Sequence, residues 1–128
     1  MNKHILIVED NPIASKVQKM IVEGLGFTVD SAMTGEEGID LAHAKKYVLI
    51  LMDLGLPGID GIETTIQIKT DQSGINNVLT PIVAVTANED PVIREQCLKA
   101  GMKDVLTKPF TLVTARDLIS RFCPEAAV

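Results

Sequence analysis

Hydrophobic residues in this chain fall into short continuous runs rather than alternating with polar ones. Three runs rich in β-branched residues stand out, at residues 5–8, 48–52 and 82–85. Strands buried on both faces of a parallel sheet have this pattern. Two weaker candidates lie at residues 27–30 and 104–107. The pattern therefore predicts five strands.

Between these runs, capping residues and helical spacing predict five helices. Asn11-Pro12 supplies an N-cap and a first-turn proline, and Thr34 with Glu37 has the form of a capping box. Apolar residues recur at helical spacing in each predicted helix: Ile13, Val17, Met20 and Ile21; Ile39 and Leu41; Ile62 and Ile66; Ile93, Cys97 and Ala100; Leu112, Ala115, Leu118, Ile119 and Phe122. Of these, Met20 and the isoleucines are predicted to be core.

The strand–helix order repeats five times, which implies a parallel sheet with helices on both faces. A chain of 128 residues has the size of one domain. The long connection at residues 70–80 contains Ser, Gly and Asn and is predicted to be a surface loop. Residues 125–128 are predicted to be a frayed tail.

Composition narrows the classes of function. With 12 Lys and Arg against 17 Asp and Glu, the formal charge is -5, which disfavours nucleic acid and anionic membranes as partners. Only 3% of the residues are aromatic, so the core is aliphatic and ring stacking on bases or flavins is disfavoured. No run approaches the roughly 20 apolar residues of a membrane span. Cys97 and Cys123 are expected to be buried, reduced thiols in a cytoplasmic protein, and His4 and His43 to be exposed bystanders.

Polar side chains follow the strands at the edge where α/β proteins bind ligands, beyond the carboxyl ends of the strands. The first strand is followed by Glu9-Asp10, and the third ends in Asp53. The fourth ends in Thr86, and Lys108 follows the fifth. Three acids, a hydroxyl and an amine are therefore expected to converge.

These residue types point to phosphoryl transfer. Crowded carboxylates raise one another's pKa unless a cation is present. An all-oxygen site without Cys or His selects Mg²⁺ or a similar hard cation. Such a cation, together with an amine, neutralises charge on phosphoryl oxygens, and a carboxylate can itself be the nucleophile that forms an aspartyl-phosphate.

The sequence resembles the receiver domain of two-component response regulators over essentially its whole length, with residues 1–124 as the domain. The resemblance implies a flavodoxin-like (βα)5 fold with a parallel sheet in the order 2-1-3-4-5. Four segments carry it: Glu9-Asp10-Asn11, Asp53 in MDLGLPGIDG, Thr86-Ala87 and Lys108-Pro109-Phe110.

The resemblance also implies a metal site that holds Mg²⁺ or Mn²⁺. Asp53 would be the phosphoacceptor and a metal ligand. Asp10 would be a direct ligand, Glu9 would act largely through water, and the backbone carbonyl of Gly55 would complete the protein's share. Because Gly55 has no side chain to influence the hydrolytic water, the lifetime of the phosphate stays open.

Two further residues receive roles from the resemblance, and one departs from it. Lys108 would pair with Asp53 and then with the phosphoryl group, and its peptide bond to Pro109 would be cis. Thr86 would move to bind a phosphoryl oxygen. Val105 stands where family members usually carry Tyr or Phe. The usual switch, in which Thr and a ring move together, is therefore not expected here.

A narrower resemblance concerns the receivers of hybrid sensor histidine kinases, carried by Glu9-Asp10-Asn11 and residues 97–110. It implies a relay that takes a phosphoryl group from a histidine kinase and passes it to a histidine phosphotransfer domain. The module would be a phosphoacceptor rather than a classical enzyme, although a parent chain would be a sensor kinase. Ile13, Ala14 and Val17 would form the docking face, and a weak homodimer stays open.

Three alternatives remain at this stage. The first is a stand-alone response regulator that acts by binding a protein. The second is a haloacid-dehalogenase-type phosphatase, but its DxD motif is not matched by Glu9-Asp10-Asn11. The third is a flavodoxin-like binding module, but Asp10 after the first strand would repel a phosphate unless a cation intervened.

Overall fold

Strands and helices alternate along the chain in the predicted order. The computed structural model describes residues 2–71, 77–88 and 90–124. Within these ranges the elements are β1 His4–Val8, α1 Pro12–Gly24, β2 Thr28–Ala32, α2 Gly35–Ala44, β3 Leu49–Asp53, α3 Gly61–Lys69, β4 Ile82–Thr86, α4 Pro91–Lys99, β5 Asp104–Thr107 and α5 Leu112–Phe122.

The five strands form one parallel sheet in the order β2-β1-β3-β4-β5, as predicted. The chain moves outward from β1 to β2 and then returns to β3, so the direction of winding reverses between β1 and β3. Val8 lies opposite Met52 across this pair. The residues that follow them, Glu9 and Asp53, therefore leave the sheet side by side at the switch point where α/β sheets bind ligands.

Helices cover both faces of the sheet, which is why the central strands β1, β3 and β4 are almost continuously apolar. Ile5 and Ile7 of β1 point into a core layer formed with α1 and α5, where Val22 and Leu118 are buried. Leu6 and Val8 point into the opposite layer, with α2, α3 and α4. Both cysteines are buried, as expected.

Side chains cap the helices at their N-termini. Asn11 accepts hydrogen bonds from the amides of Ile13 and Ala14, and Thr34 accepts one from Glu37. The Glu37 carboxylate reaches the Met33 amide instead of the Thr34 amide, so this box closes one residue earlier than predicted. These bonds satisfy amides that a helix leaves without intrahelical partners.

Helix α1 corrects a prediction, because Ile13 and Met20, which were predicted to be core, face outward. Ile13, Val17 and Met20 are 75%, 46% and 62% exposed. The buried residues of α1 are Ser15, Gln18 and Val22. Helical spacing identified a stripe correctly, but it does not say which stripe faces the sheet. Ile66 of α3 is likewise exposed rather than in the core.

The connection predicted to be a surface loop is partly interior. Residues 72–76, like the predicted tail at 125–128, lie outside the described residues. Asn77 and Thr80, however, are buried. The Asn77 side chain accepts from the Tyr47 amide and donates to the carbonyls of Ala42 and Lys45. This part of the connection is therefore tied into the body of the domain.

The two histidines are half-buried rather than exposed, which corrects the expectation for both. His43 Nε2 lies 3.4 Å from Asp71 Oδ1 and links the ends of α2 and α3. In the described part of the chain, none of the helices combines the length and the apolar character needed to span a bilayer.

Candidate functional site

Three carboxylates meet at the carboxyl edge of the sheet, where the sequence places them. Glu9 and Asp10 follow β1, and Asp53 is the last residue of β3. One oxygen from each side chain lies within 4.8 Å of the others. Glu9 and Asp53 are buried, and Asp10 is half-buried. The cluster is therefore open to solvent mainly on the side of Asp10.

The turn after β3 folds back onto Asp53 because its glycines allow it. The Gly55 amide donates a hydrogen bond to Asp53 Oδ1 at 3.1 Å. A Cβ atom at Gly61 would clash with the backbone carbonyl oxygen of Asp53. Gly58 has a φ of 73°, in the left-handed region that glycine adopts without steric cost. Gly58 thus lets the chain turn, and Gly61 lets it pass close to the backbone of Asp53.

Lys108 brings a positive charge into the acidic cluster. Its peptide bond to Pro109 is cis, as the resemblance implied. The Lys108 amide donates to the Thr86 carbonyl at 2.7 Å, and its Nζ lies 2.9 Å from Glu9 Oε1. The distance from Nζ to Asp53 Oδ1 is 3.6 Å. The ammonium group therefore touches both acids and is closer to Glu9.

Burial and crowding shift the proton affinities in the direction that the sequence suggested. Burial, together with the neighbouring Glu9 carboxylate, raises the pKa of Asp53, and the Gly55 amide and Lys108 offset this only in part. Burial lowers the pKa of Lys108, but the hydrogen bond to Glu9 and the negative charges outweigh it, so the net direction is upward. Lys108 is therefore charged at neutral pH.

Thr86 lies at the site with its hydroxyl engaged in its own loop. Its Oγ1 donates to the Asn88 carbonyl at 3.2 Å and accepts from the Asn88 amide at 3.3 Å. Val105 of β5 lies opposite Ala84 of β4. Its side chain is buried in the same core layer as Ala84, and Ile93 of α4 packs against that layer. A small aliphatic side chain thus fills the position that is aromatic in many members of the family the sequence resembles.

The predicted residues line a single cavity of about 520 Å³. Glu9, Asp10, Asp53, Thr86 and Lys108 all contribute to its wall, as does Gly55. Sequence reasoning missed that the cavity extends between α3 and α4. Its additional lining residues there are Ile62, Ile93 and Gln96. Helical spacing marked Ile62 and Ile93 as core, and nothing in the sequence distinguishes a core position from the rim of a cavity.

The donor atoms of the cluster suit a hard divalent cation. Three carboxylates supply only oxygen ligands, and at least one of them is accessible from the cavity. Mg²⁺ binds through one or two carboxylates and retains several water ligands, so a partly open site is adequate. Glu9, Asp10, Asp53 and the backbone of Gly55 are therefore the residues that could hold such a cation.

Comparison with known proteins decides the family. The sequence profile of the response regulator receiver domain matches residues 5–120. The chain belongs to the response regulator receiver family. The phosphatase and flavin-binding alternatives are therefore set aside, and the receiver has the fold that the resemblance implied.

Relatives of this receiver domain occur in several kinds of signalling protein. The aerobic respiration control sensor protein ArcB of Escherichia coli is 33% identical over 93% of this chain, and the transcriptional regulatory protein ResD of Bacillus subtilis is 36% identical over 84%. This chain spans 15% of the length of ArcB and 42% of that of ResD.

Solved receiver domains have the same architecture. The receiver domain of a sensor histidine kinase from Pseudomonas aeruginosa is 35% identical, with a TM-score of 0.86 over 97% of this chain and 99% of that one. A magnesium ion is coordinated in the active-site cleft of that structure. The chemotaxis protein CheY4 of Vibrio cholerae, 21% identical with a TM-score of 0.88 over 95% of this chain and 99% of that one, has the same fold.

Proposed function

We propose that this receiver domain accepts a phosphoryl group from a phosphohistidine onto Asp53 in a Mg²⁺-dependent reaction and passes it to a histidine phosphotransfer domain. One observation carries the proposal. The Asp53 carboxylate lies in the wall of an open cavity, with oxygens of two further acids within 4.8 Å and a lysine ammonium 3.6 Å away. This arrangement suits a nucleophile that must receive and later release a phosphoryl group.

The chemistry is an in-line displacement at phosphorus. A carboxylate oxygen of Asp53 attacks and the phosphorus–nitrogen bond of the phosphohistidine breaks. The histidine leaves as a neutral imidazole because its other ring nitrogen carries a proton. Glu9, Asp10, Asp53 and the Gly55 carbonyl would hold Mg²⁺ or Mn²⁺, which supplies charge neutralisation when it is bound.

Two other side chains stabilise the phosphorylated product. Lys108 pairs with a phosphoryl oxygen, since its ammonium group already lies beside Asp53. Thr86 turns its hydroxyl from Asn88 to another phosphoryl oxygen, and the bond that it gives up is long, at 3.2 Å. Both contacts are made to charge that the transition state develops, which is where hydrogen bonds are most effective.

The partners are a histidine kinase, a histidine phosphotransfer domain, or both, and the domain comprises residues 1–124. ArcB and the Pseudomonas neighbour, both sensor proteins by name, support a place in a sensor kinase. The receiver would then lie on the cytoplasmic side. ResD, a transcriptional regulator, supports the alternative of a response regulator that acts through an output partner. Val105 favours the relay, because a relay needs no large conformational signal.

The outward stripe of α1 is the proposed docking face. Ile13 and Val17 are exposed and lie one turn apart, with Ala14 beside them and the cavity next to the N-terminus of the helix. Exposed apolar residues at this spacing suit contact with a helical partner. The stripe does not stabilise the core, so it is available for binding.

The direct test is the intact mass after incubation with Mg²⁺ and acetyl phosphate. Wild type should gain the mass of one phosphoryl group, and Asp53→Asn should gain none. Asp40→Asn, which removes an exposed carboxylate from α2, is the matched control and should behave as wild type. A gain by Asp53→Asn would show that another residue is the acceptor. If wild type shows none, a beryllofluoride adduct would separate rapid hydrolysis from an inert site.

A second experiment separates relay from output. Phosphorylated receiver is mixed with unphosphorylated histidine phosphotransfer domains, and the phosphoryl group is followed by mass. Rapid loss from Asp53 with a matching gain on a phosphotransfer histidine supports the relay. Retention on Asp53 in the presence of every such domain supports the response regulator instead.

A further inference from the structure

Lys69, the last residue of α3, lies at the edge of the sheet where the strands begin, opposite the acidic cluster. Its side chain is half-buried. The Nζ atom donates hydrogen bonds to the carbonyls of Val78, at 2.8 Å, and Thr80. The aliphatic stem passes over Gly101, where a Cβ atom would lie 3.4 Å from Lys69 Cγ. Within the described ranges no carboxylate pairs with this amine, so neutral carbonyl groups hold it in place.

Two further lysines flank this amine. The hydroxyl of Thr80 donates to the carbonyl of Tyr47, the residue after Lys46. On the other side, the Lys103 amide donates to the carbonyl of the first residue of β4. Both flanking lysines are exposed, and their positive charges act on the Lys69 amine. The three amines therefore form a cluster of like charge around Thr80, which we call the lysine cluster.

The surroundings of Lys69 favour its neutral form. Burial, together with the charges of Lys103 and Lys46, lowers the pKa of Lys69 from 10.5 to about 8. About one Lys69 in ten is therefore neutral at neutral pH, far more than for an ordinary lysine. A neutral amine has two N–H groups, which match the two carbonyl acceptors, and its lone pair is left for an electrophile. Desolvated lysines act as nucleophiles in this way.

The charge around the amine selects an electrophile whose adduct is anionic. Positive neighbours repel an ammonium group and attract a negative group on the same nitrogen. Carbon dioxide gives such an adduct. The lone pair of the amine attacks the carbon, an electron pair of one carbon–oxygen double bond moves to its oxygen, and the nitrogen releases a proton to water. The product is a carbamate, and its nitrogen retains one N–H for a carbonyl acceptor.

We propose that Lys69 is a carbon dioxide site, at which a reversible carbamate forms within the lysine cluster. The proposal goes beyond the proposed function and does not rest on it, because the lysine cluster and Asp53 lie at opposite edges of the sheet. The carbamate replaces a positive charge by a negative one and gives up one of the two hydrogen bonds to the connection that leads into β4. This edge of the domain thus responds to dissolved carbon dioxide.

The experiment locates the carbamate by chemical trapping. The full chain is incubated near neutral pH with isotope-labelled bicarbonate, which supplies dissolved carbon dioxide. Triethyloxonium then converts carbamates into stable ethyl esters, and peptide mass mapping measures the label on every lysine. Because all lysines of wild type are compared in one digest, the location of the label does not depend on the folding of a variant.

Three variants test the role of the cluster. Lys69→Arg retains a positive charge but offers no amine, and Lys103→Met removes a neighbouring charge. Lys99→Met is the matched control, because this exposed lysine is near Lys103 in sequence and pairs with Glu95 of its own helix. The amide spectrum reports whether each variant is folded.

We expect the label on Lys69 to exceed that on Lys99 at least about tenfold in wild type, because of the larger neutral fraction. Lys69→Arg should remove this label. Lys103→Met should lower the label on Lys69 about threefold, since a positive neighbour is lost, and Lys99→Met should leave it unchanged.

Equal labelling of Lys69 and Lys99 would overturn the proposal, as would an unchanged or larger label on Lys69 in Lys103→Met. Asp53→Asn should be labelled at Lys69 as wild type is. An inert Asp53 would therefore contradict the proposed function without altering this result.

Discussion

Asp53 is placed for reactivity at the expense of stability. A carboxylate at the end of a buried strand, beside another buried acid, is poorly solvated. Burial and Glu9 raise its pKa, so the folded protein holds a proton on Asp53 more tightly than the unfolded chain does. Ionisation at neutral pH therefore costs the folded state free energy, as is common for functional groups.

Replacing Asp53 by Asn should stabilise the metal-free protein. The unfolded pKa is 3.8 and the folded value is higher, so the cost of the charge grows as the pH rises through that window. In EDTA, Asp53→Asn should have a larger free energy of unfolding than wild type at neutral pH, and the gain should vanish below pH 3.8. Urea unfolding of the two proteins at both pH values measures these free energies. Asp40→Asn is the control and should show no gain at either pH.

Asn77 has a structural role near the opposite edge of the sheet. Besides its bonds to Tyr47, Ala42 and Lys45, it accepts one from Thr80 Oγ1. Its amide matches donors and acceptors that have no access to water. Removing it would leave several buried polar groups without partners.

Asn77→Ala should therefore lower the free energy of unfolding by about 3 kcal/mol. Gln67→Ala, which breaks an exposed pair with Glu63, should change it by less than about 0.5 kcal/mol. Denaturant titration of both variants measures the difference. Equal small losses would mean that water replaces the Asn77 amide.

Among the elements, α1 has two faces with different roles. One includes Val22 and packs on the sheet, and the other carries Ile13, Val17 and Met20 outward. The helix is thus both a cover for the core and the proposed docking face. Because the outward stripe is exposed, a charge placed there should affect binding and leave folding nearly unchanged.

Val17→Asp should slow phosphoryl transfer from a phosphorylated histidine kinase about tenfold or more, a loss typical of a buried interface residue. Its reaction with acetyl phosphate should stay at the wild-type rate. Leu98→Asp, which is 45% exposed on α4 against 46% for Val17, is the matched control and should transfer normally. Stopped-flow or gel-based transfer rates give the comparison. The docking face lies elsewhere if Leu98→Asp is the slower variant.

At the scale of the whole molecule, the order of strands creates the site. Adjacent placement of β1 and β3, with β4 and β5 beyond, brings Glu9, Asp53, Thr86 and Lys108 to one edge although they are distant in sequence. Binding a cation there links parts of the chain that unfolding separates. Cation affinity and global stability are therefore coupled.

Mg²⁺ should raise the melting temperature of wild type, because it binds the assembled cluster and not the unfolded chain. At 100 times its Kd the gain is about 2.7 kcal/mol. Asp10→Asn should lose most of the gain, and Na⁺ at equal ionic strength should not reproduce it. Differential scanning calorimetry with and without Mg²⁺ measures the effect. An equal rise in Asp10→Asn would place the cation at another site.

The sequence was most informative where one local property suffices. Continuous apolar runs predicted the three buried strands β1, β3 and β4, and Asn11 and Thr34 cap helices as their positions indicated. Burial of both strand faces and satisfaction of the first helical amides depend on short segments, so they can be recognised without knowing the fold.

Predictions failed where the outcome depends on a distant neighbour. Met20 is as apolar as Val22, yet only the packing of α1 against the sheet decides that Val22 is inside. Asn77 reads as a loop residue, and its burial depends on polar groups some 30 residues away. The spacing of residues along the chain does not determine which of them are buried.

By itself the sequence determined the order of elements, the family and the residue types that meet at the site, because each follows from composition and position along the chain. Only the tertiary structure decided which partner each side chain takes. Lys108 lies nearer Glu9 than Asp53, Thr86 bonds its own loop, and the cavity opens between α3 and α4. These distances join residues that are far apart in sequence, so the packing of the whole chain sets them.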